Sequence, residues 1–341
     1  MKDEKNLHYH ITRFLSTYIT GERGLSAHTF DSYNYVIQQL THYFYNILGR
    51  PVNKISMDEF NAENIKGFLK SVEDKGCSVA TRNHRLAVIK AFCKYVQWES
   101  PMNLYNMQQI LSIRAKKAAK PTIQYLTPEQ LAILLDQPDR NYRQGFRDLL
   151  ILAVMSDTGT RVTEFINIKI ADVNLTRPAK IRVLGKGNKH RFVTVTSKTQ
   201  KLLELYYEKE NLHETSRMNE YLFVNRSGKQ LTRAGVTYIV QKYVDQAHEK
   251  FPAEFPAKLT PHCLRHTKAM NMLMAGQNLV YIRDALGHEH IKTTEVYARI
   301  GSKQQYEALE KAQAQIKIPD TATIDYRNDP STLSWLTKYC E

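Results

Sequence analysis

Long apolar runs are missing from this sequence. The longest, Leu149–Met155, is far too short to span a bilayer. No apolar segment follows the charged start Met1-Lys2-Asp3-Glu4-Lys5-Asn6, so a secretory leader is not expected. Cysteine is scarce as well. The four residues, Cys77, Cys93, Cys263 and Cys340, are widely spaced and form no CxxC pair, which argues against a disulfide framework and against a zinc cluster. No internal repeat or low-complexity tract occurs, and 42% hydrophobic with 24% charged residues rules out wholesale disorder. These absences leave a globular protein, and the cytoplasm is its expected location.

Negative charge is the next shortage. The 34 Asp+Glu are outnumbered by 48 Lys+Arg, giving a net charge of +14. Residues 1–120 hold 17 basic and 10 acidic side chains, and the remainder holds 31 and 24, so each part carries a net +7. A polyanion touched by both parts accounts for this, and DNA is the commonest such partner. A solvated surface with a basic bias accounts for the charge alone equally well. Between Ser100 and Pro128 no acidic residue occurs, while Arg114, Lys116, Lys117 and Lys120 do, so this stretch reads as an interdomain linker.

The 341 residues suggest two domains. Leu7, Ile11, Phe14, Leu15 and Tyr18 follow helical spacing. Ser26, Asn61 and Ser78 stand as N-caps before three further amphipathic patterns, so the front of the chain reads as a small four-helix bundle. Thr127-Pro128-Glu129-Gln130 has the signature of a capping box with proline at the first helical position. Beyond it, helices are expected near 127–137, 143–157, 198–210, 232–249, 261–275, 278–286 and 292–314. Lys180–Leu184 and Phe192–Val195, on either side of Gly185-Lys186-Gly187-Asn188, form a hairpin or a three-stranded edge sheet. The expected fold is mainly α with a small antiparallel sheet.

Five patterns carry chemically useful groups, and each also has a plain structural reading. In Thr158-Gly159-Thr160-Arg161-Val162-Thr163-Glu164 an arginine opens a helix, where a cation is unfavourable unless an anion sits nearby; an Arg161–Glu164 pair at helical spacing is the alternative. Lys186 in Gly185-Lys186-Gly187-Asn188-Lys189-His190-Arg191 can act as a general acid or decorate a solvated turn. His262 and Arg265 share a face of a helix starting after Thr260-Pro261. His262 and His266 also have the i, i+4 spacing of a zinc pair, although no glutamate base lies between them. His288 follows a helix-ending Gly287, and Tyr297 lies nine residues further on; a local hydrogen bond and core packing are their plain readings. Two arginines, a lysine, two histidines and a tyrosine are what phosphodiester exchange without a metal would need, provided that they converge. Guanidiniums grip non-bridging oxygens, and a phenol both attacks phosphorus and leaves again.

The order Arg…Lys…His-x-x-Arg…His…Tyr in these contexts resembles the tyrosine recombinase (phage integrase) family over essentially the whole chain. Thr81-Arg82-Asn83-His84-Arg85-Leu86 leading into Phe92-Cys93-Lys94-Tyr95 is similar to its core-binding domain. His262-Cys263-Leu264-Arg265-His266-Thr267 followed by Leu286-Gly287-His288, Thr293-Thr294 and Tyr297 is similar to its catalytic domain. Thr160 and Lys268 depart from the pattern, where apolar or aromatic residues are usual, and neither is one of the six chemical positions.

The resemblance implies a helical, SAM-like core-binding domain over 1–112, a basic linker over 113–125, a mixed α/β catalytic domain over 126–318, and a tail over 319–341 that is exchanged between protomers or docks on its own domain. It implies strand exchange through a 3′-phosphotyrosyl intermediate and a Holliday junction, without metal, nucleotide triphosphate or other cofactor. Tyr297 would be the nucleophile, Arg161 and Arg265 the phosphate clamp, and Lys186 the acid for the departing 5′-hydroxyl. His262 would exchange a proton with the tyrosine, His288 would bond a phosphate oxygen, and Glu164 would orient the site. Arg82, Arg85, Lys90, Arg114, Lys116, Lys117, Lys120, Lys189 and Arg191 would bind double-stranded DNA, the two domains closing around one duplex. A homotetramer on paired sites, an accessory DNA-bending or directionality protein and a mobile-element origin complete the expectation. A type IB topoisomerase, a non-catalytic DNA-binding protein and a zinc hydrolase are the alternatives.

Overall fold

A computed structural model describes residues 6–118, 123–185 and 189–298. The chain divides between Pro121 and Thr122 into two compact units.

In the first unit the expected caps at Ser26, Asn61 and Ser78 form, and Asn6 adds a cap that was not expected. The Asn6, Ser26, Asn61 and Ser78 side chains accept backbone N–H groups at the starts of α1 (Leu7–Arg13), α2 (Ala27–Leu48), α3 (Ala62–Asp74) and α4 (Val79–Glu99). The first helix is not regular along its expected length. It widens to a π-helix over Phe14–Glu22, where Phe14 and Tyr18 stack with ring centroids 5.8 Å apart. Phe14, Phe44, Phe60, Phe92 and Tyr95 meet in the core, whose edge-to-face and tilted ring pairs suit the aromatic quadrupole.

A fifth helix occupies the front of the acid-free stretch, ahead of the linker expected over 113–125. After the 3₁₀ turn Pro101–Asn103, α5 (Leu104–Ser112) buries Met107 and Ile110 against this core. A net basic composition says nothing about burial, and the i, i+3 pair of apolar residues decided the conformation.

Two corrections concern α4. Arg82 and Arg85, expected to reach DNA, are buried. Arg82 donates to the Arg114 carbonyl at 3.4 Å and lies 3.8 Å from Glu73, while Arg85 reaches the Cys77 sulfur at 3.5 Å. Asn83 bonds both the amide and the carbonyl of Lys116, at 3.0 and 2.7 Å. Arg82 and Asn83 hold the basic segment against α4, which leaves Arg114, Lys116 and Lys117 exposed. Lys116 pairs with Glu73 at 2.7 Å, and Lys90 is half-buried. Lys120 lies outside the described residues.

The second unit starts at the expected capping box: Thr127 and Gln130 bond reciprocally at the start of α6 (Pro128–Leu135). Its centre is α7 (Arg143–Thr158), which is buried along most of its length and packs on α9 (Ser197–Lys209) and α11 (Pro261–Met274). The short helix α8 (Val162–Phe165) leads to a three-stranded antiparallel sheet in the order β1 (Val173–Asn174), β2 (Lys180–Leu184), β3 (His190–Thr194). Ile181 pairs with Val193 and Val183 with Arg191, so these four residues share the inward face. Helix α10 (Arg233–Lys250) closes the main core, and α12 (Leu279–Leu286) packs on α11 in a smaller cluster that includes Tyr297. A helix expected from residue 292 begins later: Ile291–Thr293 is a 3₁₀ turn, and 295–298 is helical. No helix among the described residues is long and apolar enough to cross a membrane.

Candidate active site

Two glycines build the floor of the site. Helices α7 and α12 both end at a left-handed glycine, Gly159 (φ 60°) and Gly287 (φ 66°), a conformation that costs other residues about 1–2 kcal/mol. These turns direct the Gly159 and Leu286 carbonyls at Arg265, whose guanidinium donates to each at 2.8 Å. Helix C-termini carry partial negative charge, so two of them hold this cation although it is only 1% exposed. Burial, with Arg161 nearby, lowers its pKa to about 10.

Arg161 precedes α8. It donates to Glu164 Oε1 at 2.7 Å and to the Gly287 carbonyl at 3.2 Å. Since Leu286 and Gly287 are adjacent, their carbonyls bring the Arg265 and Arg161 guanidiniums side by side. Two like charges so placed suit an anion between them. The Arg161–Glu164 pair offered as the plain structural alternative does form, and it coexists with this arrangement.

The Tyr297 hydroxyl lies 2.8 Å from His266 Nδ1, and its ring stacks near His288 with centroids 6.4 Å apart. Burial raises the phenol pKa, while Arg265 and Arg161 oppose that rise. His288 bonds Thr294 Oγ1 at 2.9 Å. Burial, with the neighbouring cations, lowers His266 and His288 to about 4, and His262 shifts downward for the same reasons. His266 and His288 are therefore neutral at pH 7. His262 sits in edge contact with His266, centroids 4.4 Å apart, at the start of α11. The expected partner of the tyrosine was His262; the residue bonded to it is His266, one helical turn on. Among the described residues no group of three or more His, Cys, Asp or Glu is placed to hold a metal ion.

Arg191, expected to grip DNA phosphate, sits in this site instead. Its guanidinium spans both oxygens of Glu164, at 3.1 and 2.8 Å. Burial works against ionised Glu164, but the Arg191 guanidinium and the Arg161 amide outweigh it and hold the carboxyl below the usual range. Lys189 is exposed at the hairpin, and Lys186 lies outside the described residues.

Residues 124–304 match the model of the phage integrase family, and residues 11–100 match its N-terminal SAM-like domain. The chain is 32% identical to the integrase/recombinase y4rC of Sinorhizobium fredii, over 85% of its length and 86% of that protein. This chain belongs to the phage integrase family. The tyrosine recombinase XerC of Thermodesulfovibrio yellowstonii is 29% identical to it over 90% of this chain and 97% of that one. In fold it is similar to the XerH site-specific recombinase solved with its difH substrate after cleavage, with a TM-score of 0.64, 22% identity, and coverage of 84% and 80% of the two chains. The Tn1549 transposon integrase bound to transposon right-end DNA has a TM-score of 0.67 at 15% identity, covering 89% and 99%.

Two residues of this tyrosine recombinase's site, His266 and Arg191, were expected in other roles, although each left a trace of its place. His266 follows His262 at i+4, a spacing weighed only for zinc. Arg191 stands two residues before the buried Val193 on β3, so strand alternation places it on the inward face, where a cation requires a carboxylate.

If Tyr297 is a nucleophile with His266 as its base, kcat/KM for its attack should stay level as pH falls from 7 to 6, since His266 is already neutral. The acid limb is expected well below 6, because a base whose pKa is lowered stays unprotonated further into acid. A limb centred near 6.5 in single-turnover kinetics with limiting DNA contradicts that environment for His266.

Proposed function

We propose that this recombinase exchanges DNA strands through a covalent 3′-phosphotyrosyl intermediate. The observation that carries the reading is the Tyr297 hydroxyl 2.8 Å from a neutral His266, with the Arg161 and Arg265 guanidiniums alongside. The Tyr297 oxygen attacks phosphorus while His266, its own proton on Nε2, takes the phenol proton. The bond to the 5′ oxygen breaks, and Lys186 gives that oxygen a proton. Arg161 and Arg265 neutralise the charge on the non-bridging oxygens, and His288 donates a further hydrogen bond to one of them. His262, at the positive end of α11, faces the same anion. A 5′-hydroxyl from a second strand then attacks the phosphotyrosine, giving its proton back to Lys186, and Tyr297 leaves with its proton restored by His266. One ester replaces another.

The duplex contacts both units, each of which carries the net +7. Arg114, Lys116 and Lys117 in the first unit and Lys189 in the second are exposed cations for its phosphates. Complexes with DNA among the fold relatives, including XerH and the Tn1549 integrase, support this partner. Four copies on two paired sites, with a Holliday junction between the exchanges, is the assembly we infer. The experiment is incubation with a nicked suicide site in excess EDTA. A covalent adduct is expected, and its absence on the correct site overturns the mechanism. Exchange between two separate sites then distinguishes recombination from topoisomerase-like relaxation.

The tail is proposed to join protomers. Residues 319–341 lie outside the described residues, but Asp329-Pro330-Ser331-Thr332 before Leu333, Trp335, Leu336 and Tyr339 reads as a capped apolar segment too short to be stable alone. Deleting 320–341 should abolish tetramer formation on DNA in sizing experiments while leaving single-site binding. Unchanged tetramers mean the tail serves its own domain.

A further inference from the structure

The two arginines on Glu164 are not equivalent. Arg191 occupies both carboxylate oxygens, whereas Arg161 touches only Oε1 through its side chain and turns a second nitrogen to Gly287. The Arg191 side chain is 17% exposed and that of Arg161 is 37% exposed, so Arg161 is the more open of the two. Arg191 also lies flat against Gly287. A Cβ there would come within 2.9 Å of its guanidinium carbon, so a side chain at 287 would push Arg191 away even apart from the positive φ. One guanidinium thus joins β3, which closes the Lys186 hairpin, to Glu164 on α8 and to the turn before His288.

We propose that Arg191 is a positioning residue for the recombination chemistry. By satisfying both oxygens of Glu164 it limits Arg161 to its single side-chain bond with Oε1, keeps the carboxylate from drawing that side chain into a bidentate pair, and so leaves the rest of the Arg161 guanidinium open to the scissile phosphate.

The physical argument is competition for one carboxylate. A buried carboxylate requires well-aligned charged and hydrogen-bonding partners on both oxygens to offset its desolvation. With Arg191 removed, the only short contacts left to Glu164 among the described residues come from Arg161, whose side chain then folds onto both oxygens in a bidentate pair. That geometry is the strongest available to it and faces away from substrate. Lysine at 191 supplies a point charge for one oxygen and cannot replace the fork. The role acts through Glu164 and Arg161 and requires no contact between Arg191 and DNA.

This inference rests on the proposed strand-transfer chemistry, and the test keeps the two separable. Arg191→Ala, Arg191→Lys, Glu164→Gln and Arg191→Ala/Glu164→Gln are compared with the unaltered full chain for single-site DNA affinity and for the single-turnover rate of adduct formation on a nicked site. Failure of the unaltered chain to form an adduct refutes the chemistry and, with it, this inference. If it forms one, Arg191→Ala should lower the rate about 10–100-fold, as a misplaced phosphate-binding group does, with affinity changed less than about threefold. Arg191→Lys should fall in between. The double variant should be no slower than Arg191→Ala, because an uncharged amide at position 164 no longer captures Arg161. Thermal unfolding of each variant identifies any that fail to fold. A loss of affinity matching the loss of rate makes Arg191 an ordinary phosphate contact and overturns the proposal. Additive effects of the two substitutions overturn it as well, since a residue acting through Glu164 cannot add to its loss.

Discussion

Tyr297→Phe should abolish the covalent protein–DNA adduct, lowering its rate of formation by about 10⁴-fold or more, because no other oxygen replaces the nucleophile. The substitution is mild for the fold. The phenyl ring keeps its place in the small cluster with Met270, Leu273, Ile282 and Leu286 and keeps its stacking near His288. What disappears is the hydroxyl and its 2.8 Å bond to His266, a change of about 1 kcal/mol in stability. Affinity for an intact site should therefore remain within a few-fold of the unaltered protein, measured by gel shift beside the denaturing-gel assay for the adduct. An adduct that persists at the same rate in the phenylalanine variant places the nucleophile on another residue.

Arg265→Ala should damage stability and chemistry together, unlike Tyr297→Phe. The guanidinium is buried and is bonded to the carbonyls that end α7 and α12. Removing it leaves the Gly159 and Leu286 carbonyls without this donor and opens a cavity between α7, α11 and α12. Relief of the buried charge's own desolvation offsets part of the loss, so about 2–4 kcal/mol is expected. In a unit of this size that lowers the unfolding temperature by roughly 5–10 °C. The rate of adduct formation should fall by about 10²–10³-fold or more, since one of the two charges set against the phosphate is gone. Arg265→Lys restores the charge and not the two-pronged geometry, so it should recover part of the stability and little of the rate. A variant as stable as the parent shows that Arg265 does not bind the helix ends together. A stable and fully active one removes it from the phosphate site as well.

The contrast between these two residues shows which parts of the site were legible beforehand. Arg161, Glu164, Arg265, His288 and Tyr297 stand out in the sequence because their residue types, order and local contexts resemble one family, and the structure brings them together in one unit. Tyr297 bonding His266 in place of His262 was not legible in the same way. Both histidines lie on the same side of α11, and which one meets the tyrosine depends on where α12 and the turn after it set residue 297. The reading of Arg82 and Arg85 as DNA ligands erred for a related reason. An arginine on an amphipathic helix carries the same charge whether it faces phosphate or its own chain, and only packing against residues 114–116 shows that Arg82 faces inward.

Features that depend on near neighbours were written in the chain alone. The caps at Ser26, Asn61, Ser78 and Thr127 work within one helical turn, the β2–β3 hairpin within a few residues, and apolar periodicity fixed which helix faces turn inward. The scarcity of acidic residues is likewise a property of composition, and it pointed toward a polyanion before any fold was known. Where each charge acts is a matter of folding. Whether Arg191 meets DNA or Glu164, and whether Arg265 is a surface cation or the buried tie between two helix ends, depends on carbonyls and carboxylates brought together from distant parts of the chain. Electrostatic energy falls with distance and rises with burial, and neither quantity exists until the chain has folded.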